Sequence, residues 1–275
     1  MRSIFYEAKK HLSFRETWVG YILAVGFLII SVKNTAYTIP DVAEQWNILF
    51  QDIYMYGATL SAFLVAIGIS RLMCYEHERK TDAILYTATN GRHISFLSKM
   101  GFAVLYCAAV VIIIGAVSIV IHGSIFGFEN AFSDIKYCRY FTNGAPAVPN
   151  LVYSIVQYLF LFLGVLYFAG FVMLVATLTK RTALTICISG GTYLALLIYY
   201  LVGSSFLRGI AIDIADTVWR FSFAGFMLQE SYSRFPVLNW VGEWSSAWKT
   251  VLLVIGIVLA EGVLLWQLWR KKDRK

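Results

Sequence analysis

Stretches of about twenty mainly apolar residues recur six times along this chain of 275 residues. An α-helix needs about twenty such residues to cross the hydrocarbon core of a bilayer. Only 14% of the residues are charged and 59% are hydrophobic, whereas a soluble protein has about a quarter charged residues. We therefore predict one all-α membrane domain, residues 1–275, with six transmembrane helices. The predicted spans are residues 17–32, 53–74, 97–121, 153–179, 183–203 and 250–269.

The basic residues predict the orientation of these spans. Six spans place both termini on one side of the membrane, and that side then carries 16 of the 23 Lys and Arg residues. Cytoplasmic flanks of membrane spans are enriched in Lys and Arg. We therefore expect a multi-pass protein of the cell membrane with both termini in the cytoplasm. The same clustering accounts for the net charge of +7 without a nucleic-acid partner.

Two segments outside the spans show amphipathic patterns. Residues 1–16 combine apolar residues at helical spacing with Arg2, Lys9 and Lys10, which predicts a helix lying in the plane of the lipid headgroups. Residues 204–249 form the longest outer segment. Apolar residues recur there at every fourth position from Phe206 to Val218, which predicts a helix packed against the outer ends of the spans.

The sequence lacks the usual patterns of a nucleotide, metal or catalytic site. No glycine-rich loop ends in Lys followed by Ser or Thr, the pattern that cradles phosphates in many ATPases. Cys74 and His77 have a metal-like spacing, but a structural zinc needs four ligands and no second pair lies nearby. We therefore predict no metal, no cofactor and no catalytic residue in this chain.

Glu261 is the one ionisable residue predicted to lie deep within a span, 12 residues after Lys249 and 9 before Arg270. A carboxylate at that depth is costly and marks a candidate functional site. Two interpretations stay open. Glu261 either has a structural role, protonated or hydrogen-bonded to a neighbouring helix, or it is a proton or cation site.

A polar run, residues 75–99, separates the second and third predicted spans. It surrounds a short apolar stripe, Ile84 and Leu85, with charged residues, and Gly91 could end a helix there with a left-handed cap. The run is either a solvated loop that only sets topology or a docking element for another protein. Its charged residues are Glu76, Glu78, Arg79, Lys80, Asp82, Arg92 and Lys99.

The order of residues in this run resembles the cytoplasmic signature of ABC-2 type transporter permeases. The matching positions are Glu76, Glu78, Thr81, Leu85, Thr87, Arg92 and Lys99. Lys80 and Thr89 depart from the pattern, since the family usually has glycine at the first position and often proline at the second. The overall plan is also similar: an N-terminal interfacial helix, six spans, the signature between spans two and three, and a long outer segment.

The resemblance implies a permease that docks on two copies of a separate ATP-binding subunit and pairs with a second permease, identical or homologous. ATP and Mg would then be bound by the partner subunit, and this chain would not be an enzyme itself. It also implies that residues 75–96 contain a coupling helix and that residues 204–249 form short re-entrant helices. The docking residues would be Glu76, Glu78, Arg79, Thr81, Asp82, Ile84, Leu85 and Arg92.

By the same resemblance, spans two and five would line a translocation cavity at the interface between two permeases. Their polar candidates are Tyr54, Tyr56, Thr59, Ser189, Thr192 and Tyr193. An apolar lining favours amphipathic cargo such as a hydrophobic peptide, a lipid-like molecule or a drug. Our preferred expectation is a bacterial protein for peptide export or for self-protection against antimicrobial peptides. The alternative is an ion-coupled secondary transporter in which Glu261 is the coupling site.

Overall fold

The computed structural model describes residues 2–38, 45–81, 91–134, 148–203, 210–227 and 247–271. These ranges are almost entirely helical and contain no β-strand, which confirms the prediction of an all-α protein. The helices are α1 Arg2–Leu12, α2 Arg15–Thr38, α3 Gln45–Asp52, α4 Ala58–Glu78, α5 Gly91–Phe126, α6 Asn150–Thr179, α7 Thr182–Ile198, α8 Ile210–Phe221, α9 Phe223–Met227 and α10 Ala247–Lys271.

Five helical segments are long and apolar enough to cross a membrane. They are Arg15–Asn34, Ile48–Glu78, His93–Phe126, Asn150–Thr179 and Val251–Arg270. In the second segment, a π-helical turn, Ile53–Gly57, joins α3 to α4. The remaining predicted span, residues 183–203, corresponds to α7, an apolar helix of 17 residues followed by a second π-helical turn. The long apolar helices indicate a membrane-embedded protein, and the layout with six spans stays a prediction.

Helices α4 and α6 pack along each other at the centre of the bundle and carry its most deeply buried residues. Their buried positions follow the helical period, so one stripe of each helix faces the other. Helices α5, α7 and α10 surround this pair, and α2 lies at the edge with an exposed apolar face that includes Ile22. The fully buried central residues include Val65, Ile69 and Leu72 from α4 and Val165, Phe168 and Val172 from α6.

Glycines allow two close helix contacts in this bundle. A side chain at Gly68 of α4 would clash with the ring of Tyr106 from α5. At Gly164 of α6, an added methyl group would lie 2.8 Å from Met227 Cγ. Small residues have this role in membrane bundles, because van der Waals packing replaces the hydrophobic effect between helices surrounded by lipid.

The N-terminal segment forms a helix as predicted and contacts the bundle. One face of α1 packs against α5 and buries Glu7 and His11, while Phe5 and Tyr6 on the other face are exposed. The turn to α2 is closed by Ser13, whose Oγ donates a hydrogen bond of 2.6 Å to the Lys10 carbonyl oxygen. The position of this helix in the headgroup plane stays a prediction.

The predicted outer segment, residues 204–249, is described over 210–227 and from residue 247. Helix α8 covers part of the segment where the sequence predicts a helix, and the two described residues of its predicted packed face, Ile214 and Val218, are exposed. The short helix α9 instead packs against α6, and its five residues are all buried. Residues 204–209 and 228–246 lie outside the described ranges, so re-entrant helices stay a prediction.

Candidate functional site

A buried cluster of four charges joins α1, α4 and α5 at the end of α4 that precedes the polar segment. Lys99 of α5, whose side chain is 1% exposed, places Nζ 2.7 Å from Glu76 Oε2 and 3.0 Å from the Leu72 carbonyl oxygen. Lys10 of α1 places its Nζ 2.9 Å from Glu76 Oε1 and 3.1 Å from Glu7 Oε2. Glu76 is thus held between two ammonium groups from two other helices.

The cluster contains two positive and two negative charges. This pairing avoids the cost of several kcal/mol that burial of an unpaired charge would bring. The neighbouring charges also change the pKa of Lys10, which lies in α1 outside the spans. Burial of its ammonium group favours the neutral form, but the carboxylates of Glu76 and Glu7 outweigh burial and raise the pKa of Lys10. Lys10 therefore stays charged, and the pairing holds α1 against α4.

A second, more exposed set of contacts joins the same end of α4 to α7 and to Phe14, which precedes α2. Glu78 Oε1 accepts a hydrogen bond of 2.7 Å from the backbone N–H of Thr182, the first residue of α7. A carboxylate at this position is favoured by the helix dipole. Glu78 Oε2 lies 3.0 Å from Arg71, whose guanidinium also lies over the rings of Phe14 and Tyr75. Glu76 and Glu78 therefore face neighbouring helices of the same chain.

Helix α4 ends in a Schellman motif that places Lys80 in a left-handed conformation. The Thr81 N–H donates to the Glu76 carbonyl oxygen at 3.0 Å, and the Lys80 N–H donates to the His77 carbonyl oxygen at 3.2 Å. Lys80 has φ 56°, in the region that favours glycine. In the family whose signature the polar run resembles, this position is usually glycine. Gly91, predicted to form a left-handed cap, is instead the first residue of α5.

The remaining predicted docking residues are described only in part. Arg79 lies over the Tyr75 ring with 5.8 Å between guanidinium and ring centroid, and Thr81 is exposed. Asp82, Ile84 and Leu85 lie outside the described residues. The backbone of Arg92 belongs to the first turn of α5, and its side chain also lies outside the description.

The predicted cavity residues fall at the contact between α4 and α7 within one chain. Thr59 Oγ1 lies 3.3 Å from the hydroxyl of Tyr193, which is 1% exposed. Ser189 is also fully buried, and its Oγ donates to the Thr185 carbonyl oxygen at 2.7 Å. Thr59 and Tyr193 thus join two helices of one chain, and the lining of a cavity between two permeases stays a prediction. Thr192 is half-buried on the same helix, with its hydroxyl bonded to a backbone carbonyl.

The other two cavity candidates lie in the π-helical turn before α4. Tyr56 is half-buried, and its ring packs edge-on against Phe27 with 5.5 Å between the centroids. Tyr54 belongs to the same turn, and its side chain lies outside the description. A π-helical turn inserts an extra residue into the helix and is frequent at functional sites.

Glu261 lies at the contact between α10 and α6 and is 8% exposed. Its carboxylate packs against Gly170, where an added side chain would clash with it. Among the residues that the structure describes, none donates a hydrogen bond to Oε2 of Glu261. The burial predicted from the sequence is therefore present, whereas no neighbouring helix, in the part of the chain that the structure describes, donates a hydrogen bond to this oxygen.

A second buried ionisable pair, Asp52 and His122, was missed by the sequence analysis. His122 Nε2 lies 3.0 Å from Asp52 Oδ2, and His122 Nδ1 lies 2.8 Å from the Ser118 carbonyl oxygen. Both side chains are more than nine-tenths buried. Each residue stands at the edge of an apolar stretch and was assigned to an outer loop. The helical continuation of α5 to Phe126 places His122 inside the bundle.

No protein-family model, no curated protein and no solved structure matches this chain.

The buried cluster predicts unequal effects of its two central residues on stability. Glu76→Gln leaves Lys99 buried without a carboxylate partner, so we expect the free energy of unfolding to fall by about 3–5 kcal/mol. Lys99→Met should cost less, because Glu76 still pairs with Lys10. Unfolding of the purified protein in detergent, followed by circular dichroism against denaturant or temperature, measures both effects.

The double variant Glu76→Gln/Lys99→Met should be more stable than the sum of the single changes predicts, because no unpaired charge is then left at this contact. Glu16→Gln is the matched control. The Glu16 carboxylate is 61% exposed and 3.8 Å from Arg71, so its loss should change stability by less than about 0.5 kcal/mol. Strictly additive single effects would contradict the pairing.

The left-handed cap of α4 generates a separate prediction. We expect Lys80→Gly to leave the stability unchanged or to raise it by up to about 1 kcal/mol, because glycine adopts positive φ without steric cost. Lys80→Val should lower the stability by more than about 1 kcal/mol, because a β-branched residue is strained at positive φ. The same unfolding measurement compares the two variants. A more stable valine variant would exclude the left-handed conformation.

Proposed function

We propose that this protein is the membrane subunit of an ATP-driven exporter, and that a separate ATP-binding subunit docks on the segment between α4 and α5. One observation supports this proposal most directly. Glu76 of α4 and Lys99 of α5 form a buried ion pair of 2.7 Å beside that segment. A displacement applied to the segment would therefore be passed to both helices together, because separating the pair would leave charges unpaired in the protein interior.

The resemblance of the polar run to ABC-2 permeases adds the identity of the partner to this proposal. Glu76 and Glu78 then act by fixing the helices next to the docking segment, since both carboxylates contact other helices of the same chain. Direct contact with the ATP-binding subunit is left to the residues beyond Thr81, namely the stripe Ile84 and Leu85 together with Arg92.

We place the translocation path at an interface between two permeases, on the free face of α7. That face is apolar and includes the exposed residues Leu184, Ile188, Leu194 and Ile198, with Gly191 among them. An added side chain at Gly191 would contact nothing within 4 Å, so a second helix could approach closely there. The apolar face suits an amphipathic cargo, and a hydrophobic antimicrobial peptide is the class that we favour.

The docking proposal predicts the result of a purification experiment. When the permease and its ATP-binding subunit are produced together, the wild-type chain should retain the subunit through affinity purification and size-exclusion chromatography. Leu85→Asp together with Arg92→Glu should abolish retention, because a charge enters the apolar stripe and the polar contact is reversed in sign. The amount of ATP-binding subunit per permease is measured on stained gels.

Leu178→Asp is the matched control for this experiment. Leu178 is 70% exposed near the end of α6, close in sequence to the α7 terminus that Glu78 contacts, but it lies outside the proposed docking segment. This variant should retain the ATP-binding subunit. Full assembly of the double variant, with normal ATP-dependent transport, would reject the docking segment.

A secondary transporter driven by an ion gradient is the second candidate function. It is favoured by the burial of Glu261 at the contact of α10 with α6, with one carboxylate oxygen lacking a hydrogen-bond partner among the described residues. Such a group could bind and release a proton or cation during transport. Under the ATP-driven proposal, Glu261 instead has only a packing role against Gly170.

Glu261→Gln separates the two candidates. We expect the variant to protect cells against amphipathic antimicrobial peptides as well as the wild type does, because the amide has the same shape and no charge is needed for ATP-driven export. The minimal inhibitory concentrations of a peptide panel measure this protection, and the amount of folded protein in the membrane serves as control. Loss of protection with normal folding would favour the ion-coupled mechanism.

A further inference from the structure

A large apolar groove lies between α1, α2 and α5. Its volume is about 830 Å³, within the range typical of ligand-binding pockets. The lining is apolar along most of its length and includes Ile4, Ile22, Ile29, Leu105 and Ile113. No residue of α7, the helix assigned above to the translocation path, lines it.

Two polar side chains at one end of the groove have no hydrogen-bond partner among the described residues. His11 is 3% exposed and lines the groove, and neither of its ring nitrogens is bonded. Thr17 is 6% exposed, and its Oγ1 is also without a partner. Buried polar groups without partners are rare in folded proteins, and each one points to a ligand or water that completes it.

The His11 ring is held in place by aromatic neighbours. Its centroid lies 4.5 Å from that of Tyr106, 5.2 Å from Phe102 and 5.7 Å from Phe14. Burial, together with the charge of Lys10, lowers the pKa of His11 to about 4, so the ring is neutral at neutral pH. A neutral imidazole offers one N–H donor, which can donate to an uncharged ester oxygen.

The length of the groove matches one leaflet of a bilayer. Its lining on α2 runs from Thr17 to Ile29, and the twelve steps between these residues rise by about 18 Å along the helix. Half of the hydrocarbon core is about 15 Å thick. The two unpartnered polar side chains lie where α1 turns into α2, at the end of the span, and the apolar lining extends from there towards the middle of α2.

We propose that this groove binds one acyl chain of a phospholipid from the leaflet on the N-terminal side, with its ester group hydrogen-bonded to His11 and Thr17. The acyl chain would fill the apolar groove. Without it, the lining residues would lack van der Waals contacts on that side. The ester oxygens would accept hydrogen bonds from the Thr17 hydroxyl and from the N–H of the imidazole. This proposal does not depend on the exporter assignment.

Photolabelling tests the occupant directly. The protein is placed in nanodiscs of phosphatidylcholine that contain a phosphatidylcholine with a photoactivatable diazirine on its acyl chain. After irradiation, mass spectrometry compares labelling at Val25 and Ala109 in the groove with labelling at Ile155 and Leu159, exposed residues of α6. We expect at least fivefold more label in the groove, because a bound chain stays there longer than a bulk lipid stays on an open surface.

Gly26→Leu should lower the groove labelling to the level of the α6 surface. Gly26 lines the groove and an added Cβ meets nothing within 4 Å, so the leucine side chain can extend into the empty space without displacing protein. Gly256→Leu is the matched control, since Gly256 is exposed on α10 and equally free of contacts. It should leave the groove labelling unchanged. Equal labelling of groove and surface in the wild type would overturn the proposal.

The polar end is tested with His11→Phe together with Thr17→Val, which keep the ring and the branched shape but remove the hydrogen bonds. We expect this double variant to lose the photolabelled phosphatidylcholine severalfold faster than the wild type when nanodiscs are mixed with an excess of unlabelled nanodiscs. Gly256→Leu should exchange at the wild-type rate. Unchanged exchange in the double variant would show that the ester group does not bind at His11 and Thr17.

Discussion

The buried pairing of Glu76 with Lys99 and Lys10 is the interaction on which this end of the bundle depends. The three residues come from three helices, and each ammonium lies within 3 Å of a Glu76 oxygen. Removing the Glu76 carboxylate would leave the Lys99 ammonium group in a site that water cannot reach easily, at a cost of several kcal/mol. Helices α1, α4 and α5 therefore behave as one body near the polar segment, and Glu78 extends this body to α7 through the Thr182 N–H.

Elsewhere in the bundle, shape rather than charge determines which helices touch. Gly68 admits the Tyr106 ring, and the Tyr106 hydroxyl donates to the Leu64 carbonyl oxygen at 2.8 Å, so one tyrosine fixes α5 against α4. Gly170 similarly makes room for the Glu261 carboxylate. Between helices in lipid, such contacts replace the hydrophobic effect, because lipid chains are as apolar as the side chains. A peripheral helix such as α2 can then leave a groove open to lipid beside it.

Hydrophobic length was sufficient to predict most of the fold, and the local pattern of residues 1–16 was sufficient to predict α1. The burial of Glu261 followed from its position within an apolar stretch. The partners of Glu76 did not follow, because Lys10 lies 66 residues away and spacing along the chain carries no information about which helices meet. Asp52 and His122 were assigned to loops because each stands at the edge of an apolar run, whereas α3 and α5 continue through these edges. The left-handed backbone conformation of Lys80 could not be predicted for another reason. Positive φ is predicted mainly from glycine or asparagine, and a lysine does not indicate it.

Helix α1 connects the two regions to which we assign functions. Lys10 and His11 are consecutive residues, and the first is paired with Glu76 while the second closes the polar end of the groove. Because Lys10 and His11 are adjacent on one helix, a shift of α1 that weakens the Lys10 pairing would also move the His11 ring relative to Tyr106 and Phe102. Occupation of the groove by an acyl chain would oppose such a shift by filling the space between α1, α2 and α5. The lipid and the docking segment would therefore act on the same helix, through adjacent side chains.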